Sequence, residues 1–313
     1  MPTTSRALLA EIIDYAGLFP PAKLPMEEAF RRFLAHRASD DGWLLARFVS
    51  PAARLEELTP LIKEADLGQT PIRIAVLGAG GDDPPGFADA IERDAEAMRA
   101  FSALHHTDAL IDVFEVKLPL EGHPSEVVDL TFHHLSDAVS KPPAAYFEIL
   151  PSGDPVFVAT AVAEAGHRID KSRHAGIKIR CGGLEASSVP TIDAVAAAIG
   201  ATHAAGLPLK ATQGIHHPIR HHDSTLGTKV HGFFNLFAAS VLARDQLLDE
   251  VIIREIVAEE DPKAFRLTES VLGWRNLETG FEGVVEGRLH AMTSFGSCSF
   301  TEPRDDLAGL GWL

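Results

Sequence analysis

Cysteine is nearly absent: Cys181 and Cys298 are the only two in 313 residues. Two thiols cannot staple a scaffold, so apolar burial must hold the chain together, and their scarcity points to a reducing compartment. Positive charge is also short, with 28 Lys+Arg against 44 Asp+Glu and a formal charge of −16 when the 15 His are neutral. Such a surface repels phosphate backbones and anionic lipid headgroups, so neither a nucleic-acid nor a membrane partner is expected. A small-molecule substrate is expected instead, and an anionic one would need positive charge gathered locally. No stretch approaches the roughly 18 consecutive apolar residues of a spanning helix. Met1–Ala10 lacks the charged start, apolar run and cleavage site of a signal peptide. These absences predict a soluble, cytoplasmic protein. Linkers, repeats and low-complexity tracts are missing too, and 46% hydrophobic content excludes disorder, so a single domain over 1–313 is expected.

What is there is an alternation of short strands with amphipathic helices. Strands are predicted over Leu44–Ser50, Pro71–Gly78, Leu110–Leu118, Ala145–Leu150, Gly176–Cys181 and Leu207–Thr212. Helices fall between them at Ala52–Ala65, Gly86–Leu104, Ser125–Val139, Pro155–Ala165 and Thr191–Ala205. In Gly86–Leu104 the apolar residues Phe87, Ala90, Ile91, Ala95, Met98 and Phe101 recur at three- and four-residue steps, the signature of a one-sided helix. Ala7–Phe19 and Thr293–Phe300 can supply two further strands. The region of about 214–290 breaks the pattern, with a His-rich stretch, an apolar helix over Val230–Ala243 and an acidic helix over Gln246–Glu260.

Successive strand residues point to opposite faces. Arg73, Glu115 with Lys117, Glu148, Lys178 with Arg180, and Lys210 each alternate with apolar neighbours. Every such strand sends an apolar row toward its helices and a charge the other way. A doubly wound sheet, covered on both faces, calls for near-continuous apolar strands. The pattern predicts an α/β fold of the (β/α)8 TIM-barrel type, with an N-terminal helical segment and a large insertion before the last strand. The interior charges either line a site at the barrel mouth or pair off as a buried ionic lattice.

Crowded lysines with partial desolvation disfavour an ammonium, so one should have a lowered pKa and act as a nucleophile toward carbonyls. Glu115 or Glu148 could then move protons. The same cations could also serve as a static anion clamp. His216, His217, His221, His222 and His231 offer imidazoles for a divalent metal, with a carboxylate such as Glu148 completing the set. The competing reading keeps them as polar loop residues, with His216 or His217 as a substrate contact or general acid. Cys181 and Cys298 read as inert thiols near strand ends, and His105, His106, His133 and His134 as surface groups.

Ile13-Asp14-Tyr15-Ala16-Gly17-Leu18, Phe48-Val49-Ser50-Pro51, Ile72–Gly78, Glu115-Val116-Lys117, Phe147-Glu148-Ile149-Leu150, Gly176–Gly183 and Leu209–Ile215 stand in an order that resembles the deoxyribose-phosphate aldolase family of class I aldolase barrels. The resemblance implies Lys178 as the Schiff-base lysine, Lys210 as the second lysine that lowers its pKa, and Glu115 as the proton relay. Arg73, Lys117, Arg180, Glu148, His216, His217 and Ser297 become candidate substrate contacts. The sequence departs from that pattern at Ile179-Arg180-Cys181, where the family has Thr and Ser, and at Gln213-Gly214, where it has two glycines. The expected function is a Schiff-base-forming lyase of a small oxygenated, anionic carbonyl compound, with no cofactor required, a divalent metal possible and a homo-oligomer possible. The alternatives are a metal-dependent barrel hydrolase or lyase using His216–His231, and a non-catalytic metabolite-binding barrel.

Overall fold

A computed structural model describes residues 3–68, 70–139, 142–149, 153–168 and 174–313. Leu150, the expected end of the fifth strand, lies outside the described residues. Eight parallel strands form a closed barrel: β1 (Ile13–Tyr15), β2 (Leu45–Pro51), β3 (Ile72–Leu77), β4 (Ala109–Lys117), β5 (Ala144–Glu148), β6 (Ala175–Arg180), β7 (Leu209–Thr212) and β8 (Met292–Ser297). β8 closes the ring by pairing with both β7 and β1. This is the α/β, TIM-barrel fold that the alternation predicts.

The helices are α1 (Thr4–Leu9), α2 (Met26–Arg37), α3 (Leu58–Glu64), α4 (Pro84–Leu104), α5 (Pro124–Ala138), α6 (Pro155–Arg168), α7 (Ile192–Ala204), α8 (Phe233–Gln246), α9 (Glu250–Ala258), α10 (Phe281–His290) and α11 (Thr301–Gly309). Local chemistry sets their starts. The Asp83 side chain accepts from the Gly86 amide, and Pro84, with no amide proton to satisfy, opens α4. Thr191 caps α7 in the same way through the Ala194 amide. The predicted helix over 52–65 is split into a 3-10 turn, Ala52–Glu57, and α3. Pro60 falls in the first turn of α3, the one place where a missing amide is harmless. The predicted stripe of α4 is buried throughout.

Between β7 and β8 lie a short hairpin (His221–Asp223 with Thr228–Val230), α8, α9, a three-stranded antiparallel sheet (Phe265–Leu267, Leu272–Trp274, Leu277–Thr279) and α10. The all-round apolar helix is core: every residue from Phe233 to Ala243 is buried. Phe233 stacks on Phe295 of β8 at 4.4 Å between centroids. Gly287 lets α10 approach closely, because a Cβ there would meet the Val241 side chain at 2.8 Å. His105 departs from its expected surface position. It is buried at the end of α4, against the Phe101 ring and 3.0 Å from the Thr59 hydroxyl. Among the described residues, no helix is long and apolar enough to cross a membrane.

Candidate active site

The register of the strands fixes the depth of each inward side chain. Val49, Ala75, Val113 and Tyr146 form an apolar layer on β2 to β5, separate from the main core under the helices. Above it, toward the C-terminal ends of the strands, stand Glu115, Glu148, Lys178 and Lys210, all buried. Glu148 pairs in register with Lys178, and Lys178 with Lys210. A pocket opens over this layer, lined by Glu115, Lys178, Arg180, Thr212, Gln213, His216, Gly296 and Cys298 together with Ala16, Phe19, Pro20, Val49 and Leu77. This is the barrel face on which catalytic groups of such folds stand.

Lys178 Nζ lies 2.8 Å from Glu115 and 3.1 Å from Glu148. Glu148 in turn holds Arg180 at 2.9 Å. Glu115 also reaches Lys210 at 2.8 Å, and Lys210 pairs with Asp14 of β1. Asp14 meets Arg47 at 3.3 Å, Arg47 meets Asp112 at 2.7 Å, Asp112 meets Arg73 at 2.7 Å, and Arg73 ends on Glu11. The outcome is one alternating chain, Arg180–Glu148–Lys178–Glu115–Lys210–Asp14–Arg47–Asp112–Arg73–Glu11, running from the mouth to the opposite end of the barrel. Both expected arrangements are present at once. The interior charges form a lattice, and its upper members line the pocket.

Electrostatics follow from these contacts. Burial opposes the Asp14 carboxylate, but Lys210 and Arg47 prevail and bring its pKa down to about 2. Burial opposes Glu115 in the same manner, and Lys178 and Lys210 hold it below the ordinary carboxylate range. Lys210, expected as the second lysine, keeps its charge despite the crowding. Burial favours the neutral amine, yet Asp14 and Glu115 overcome it and raise the pKa, so this lysine stays cationic. Glu115 therefore faces an ammonium with each oxygen, Oε2 toward Lys178 and Oε1 toward Lys210.

Of the seven predicted substrate contacts, Arg180 and His216 line the pocket; Glu148 lies behind Arg180, His217 turns away, and Arg73, Lys117 and Ser297 do not enter it. Arg73 faces inward as expected, but it is the second residue of β3 and stands near the N-terminal end, level with Leu110, where Glu11 and Asp112 bind it. Alternation gives the face of a strand and not the height along it. Lys117 ends β4 and is largely solvated, 3.6 Å from Asp82. Ser297 follows Gly296 on β8 and so points the other way. Its hydroxyl donates to the Ser299 carbonyl at 2.6 Å and shapes the turn after the strand.

The histidines diverge. His216 lines the pocket, with Nδ1 2.8 Å from Glu302. His217 turns to Asp306 on α11. His221 Nδ1 lies 3.0 Å from the Ile219 carbonyl, and His231 is buried with Nε2 donating to the Pro190 carbonyl at 2.8 Å. Among the described residues, no three His, Cys, Asp or Glu side chains are grouped to hold a metal ion. Of these imidazoles His217 and His221 meet, ring centroids 4.6 Å apart, while His216 and His231 turn to separate partners.

Asp14, Arg47 and Asp112 were not singled out by sequence, although Asp14 and Arg47 alternate with apolar neighbours as Glu115 does. Gln213, which stands in the sequence only as a departure from two glycines, lines the pocket. It takes φ +58° at the pocket wall, and its side-chain oxygen is buried without a hydrogen-bond partner. Its neighbour Gly214 (φ +68°) packs on Gly182 so closely that a Cβ on either would sit 2.8 Å from the other's Cα. Cys181 is buried and its thiol is pushed up to about 12, which fits the inert reading. Cys298 instead lines the pocket.

No family model matches this chain, and no curated protein matches it.

Proposed function

We propose that the protein is a Schiff-base-forming lyase of a small oxygenated, anionic carbonyl compound, acting through Lys178. The observation that carries this reading is the position of Lys178: a buried lysine that lines the mouth pocket and touches two buried carboxylates. The barrel fold is one that commonly hosts enzymes. The ordered resemblance to class I aldolase barrels points to the same residue.

In this reading the Lys178 ammonium passes a proton to Glu115, which leaves the net charge of the ionic chain unchanged. Lys210, held by Asp14, remains cationic beneath. The free amine adds to the substrate carbonyl carbon, the carbonyl π pair becomes an alkoxide, and the alkoxide takes the proton that the newly bonded nitrogen sheds, giving the carbinolamine. Glu115 returns its proton to the carbinolamine hydroxyl, which departs as water and leaves an iminium beside a carboxylate. Glu115 or Glu148 takes the proton of the substrate hydroxyl as that oxygen forms a C=O, the adjacent carbon–carbon bond breaks, and its electron pair enters the iminium, giving an enamine and a departing aldehyde fragment. Glu115 or Glu148 then carries the proton that restores the iminium for hydrolysis. Arg180 offers a guanidinium of five donors, of which Glu148 engages one nitrogen, and so recognises the anionic group.

The test is borohydride trapping with a panel of small aldehydes and keto acids, followed by peptide mass spectrometry. A reduced adduct on Lys178, absent from Lys178→Arg, is the expected result. No adduct, or adducts on surface lysines alone, would overturn the reading.

A further inference from the structure

We propose that Cys298, His216 and Glu302 form a second covalent centre on the wall of the pocket, a thiol activated by an imidazole and directed at small electrophilic carbon compounds. This centre stands whether or not Lys178 forms an imine.

The three residues come from separate elements. Cys298 follows β8, His216 lies in the loop after β7, and Glu302 is in the first turn of α11. His216 Nε2 is 3.7 Å from the Cys298 sulfur, within reach of a thiol hydrogen bond. On the other side of the ring, Nδ1 is 2.8 Å from the Glu302 carboxylate. That carboxylate fixes the tautomer: Nδ1 carries the proton and donates to Glu302, so Nε2 presents a lone pair to the thiol. Nucleophile, base and orienting carboxylate are the three parts of an activated thiol.

The surroundings hold these parts in place. Ser297 and Ser299 bracket Cys298: the Ser297 hydroxyl donates to the Ser299 carbonyl, and the Ser299 amide donates back to the Ser297 hydroxyl at 3.2 Å. Ser299 Oγ accepts from the Glu302 amide at 3.2 Å, tying the start of α11 to the same turn. Cys298 and His216 both face the pocket that holds Lys178, Arg180 and Glu115, and Tyr15 of β1 and His217, itself paired with Asp306, are further titratable groups beside the centre. Burial opposes the His216 imidazolium, but the sulfur and the carboxylate sustain it up to about 9. Cys181, buried with no such partner, is the inert counterpart.

In the covalent step His216 Nε2 takes the thiol proton and the sulfur attacks carbon. With an aldehyde, the S–C bond forms as the C=O π pair moves to oxygen, and the alkoxide takes the proton from the imidazolium, giving a hemithioacetal. With iodoacetamide, the S–C bond forms as iodide leaves with the C–I pair.

Iodoacetamide is the probe. The full chain is alkylated across a range of pH, and modification at Cys298 and Cys181 is followed by peptide mass spectrometry. The expected rate profile for Cys298 has its midpoint well below the ordinary thiol value of about 8.5. His216→Gln is expected to move that midpoint up and slow alkylation at neutral pH by about ten-fold or more. Glu302→Gln should act in the same direction to a smaller extent, with Cys181 unreacted throughout. A wild-type midpoint at or above the ordinary value, or equal Cys298 rates in wild type and His216→Gln, overturns the proposal. The wild-type profile decides alone if the variants do not fold.

Discussion

Lys178 and Lys210 occupy paired positions on β6 and β7 and share the carboxylate of Glu115, which lies 2.8 Å from each ammonium. Two cations this near would repel strongly in a poorly polarisable interior. The shared carboxylate is what allows both to be buried.

Replacing that carboxylate tests it directly. Glu115→Gln leaves Lys178 with Glu148 alone and Lys210 with Asp14 alone. Breaking a buried ionic contact on one side costs about 3–5 kcal/mol, which urea denaturation measures. In the proposed chemistry the variant also loses its proton carrier, and trapping at Lys178 should slow by roughly 10²-fold. A stable variant that traps at the wild-type rate would remove Glu115 from the mechanism.

Asp14 and Lys210 should be energetically coupled. Asp14→Asn leaves the fully buried Lys210 ammonium with Glu115 alone and is expected to cost about 3–5 kcal/mol. Lys210→Met should strand Asp14 on one side, where Arg47 still partners it. The double variant Asp14→Asn/Lys210→Met should lose less than the sum of the singles by at least about 1 kcal/mol in a double-mutant cycle. Additive losses would show that the contact carries no interaction energy.

Acid should weaken the fold through His231. Burial lowers its pKa to about 4, against the ordinary 6.5. As pH falls through 6.5 the unfolded chain takes up a proton that the native imidazole refuses until about pH 4. Stability is therefore lost across that window, by up to about 3 kcal/mol. His36, His105 and His203 shift the same way and add to the loss, whereas Asp94, raised by burial to about 6, takes up its proton first in the native state and opposes it. The charge on His216 stabilises fully below 6.5 and is constant in the window, while Asp14 enters only below 3.8. His231→Gln keeps a donor for the Pro190 carbonyl, and its urea midpoint should fall less between pH 6.5 and 4 than that of the wild type. Identical slopes would count against this assignment.

Much of the barrel could be read from one rule, side-chain alternation, because burying one face of a strand fixes its pattern. That rule found the inward charges of β4 to β7 and placed the apolar rows of β3 under the helices. It could not rank residues by height, which is why Arg73 seemed to belong with Lys178. It also fails where the ladder slips. The register between β3 and β4 shifts after Ile74, which pairs with Ile111 while Ala75 pairs with Val113, leaving Asp112 as an extra residue. Strict alternation would face Asp112 away from Arg47, whereas the bulge turns it toward Arg47 and Arg73. β1 is only three residues long, so the alternation of Asp14 with its two apolar neighbours is too brief to mark it as an interior charge. The histidines separate for a different reason: the loop and hairpin keep His217 and His221 in contact and place His216 at the pocket, while the start of a buried helix carries His231 away.

The seat of β8 between β1 and β7 has a consequence for biosynthesis. A nascent chain emerging from the ribosome carries seven strands with both outer edges bare until Met292–Ser297 has been made. Asp14 and Lys210 also wait for Ser294, the third member of their cluster. Unpaired edges of this kind invite pairing with other chains. The long segment after Thr212 therefore sets a delay during which the incomplete ring depends on its helices, or on a chaperone, to stay out of aggregates.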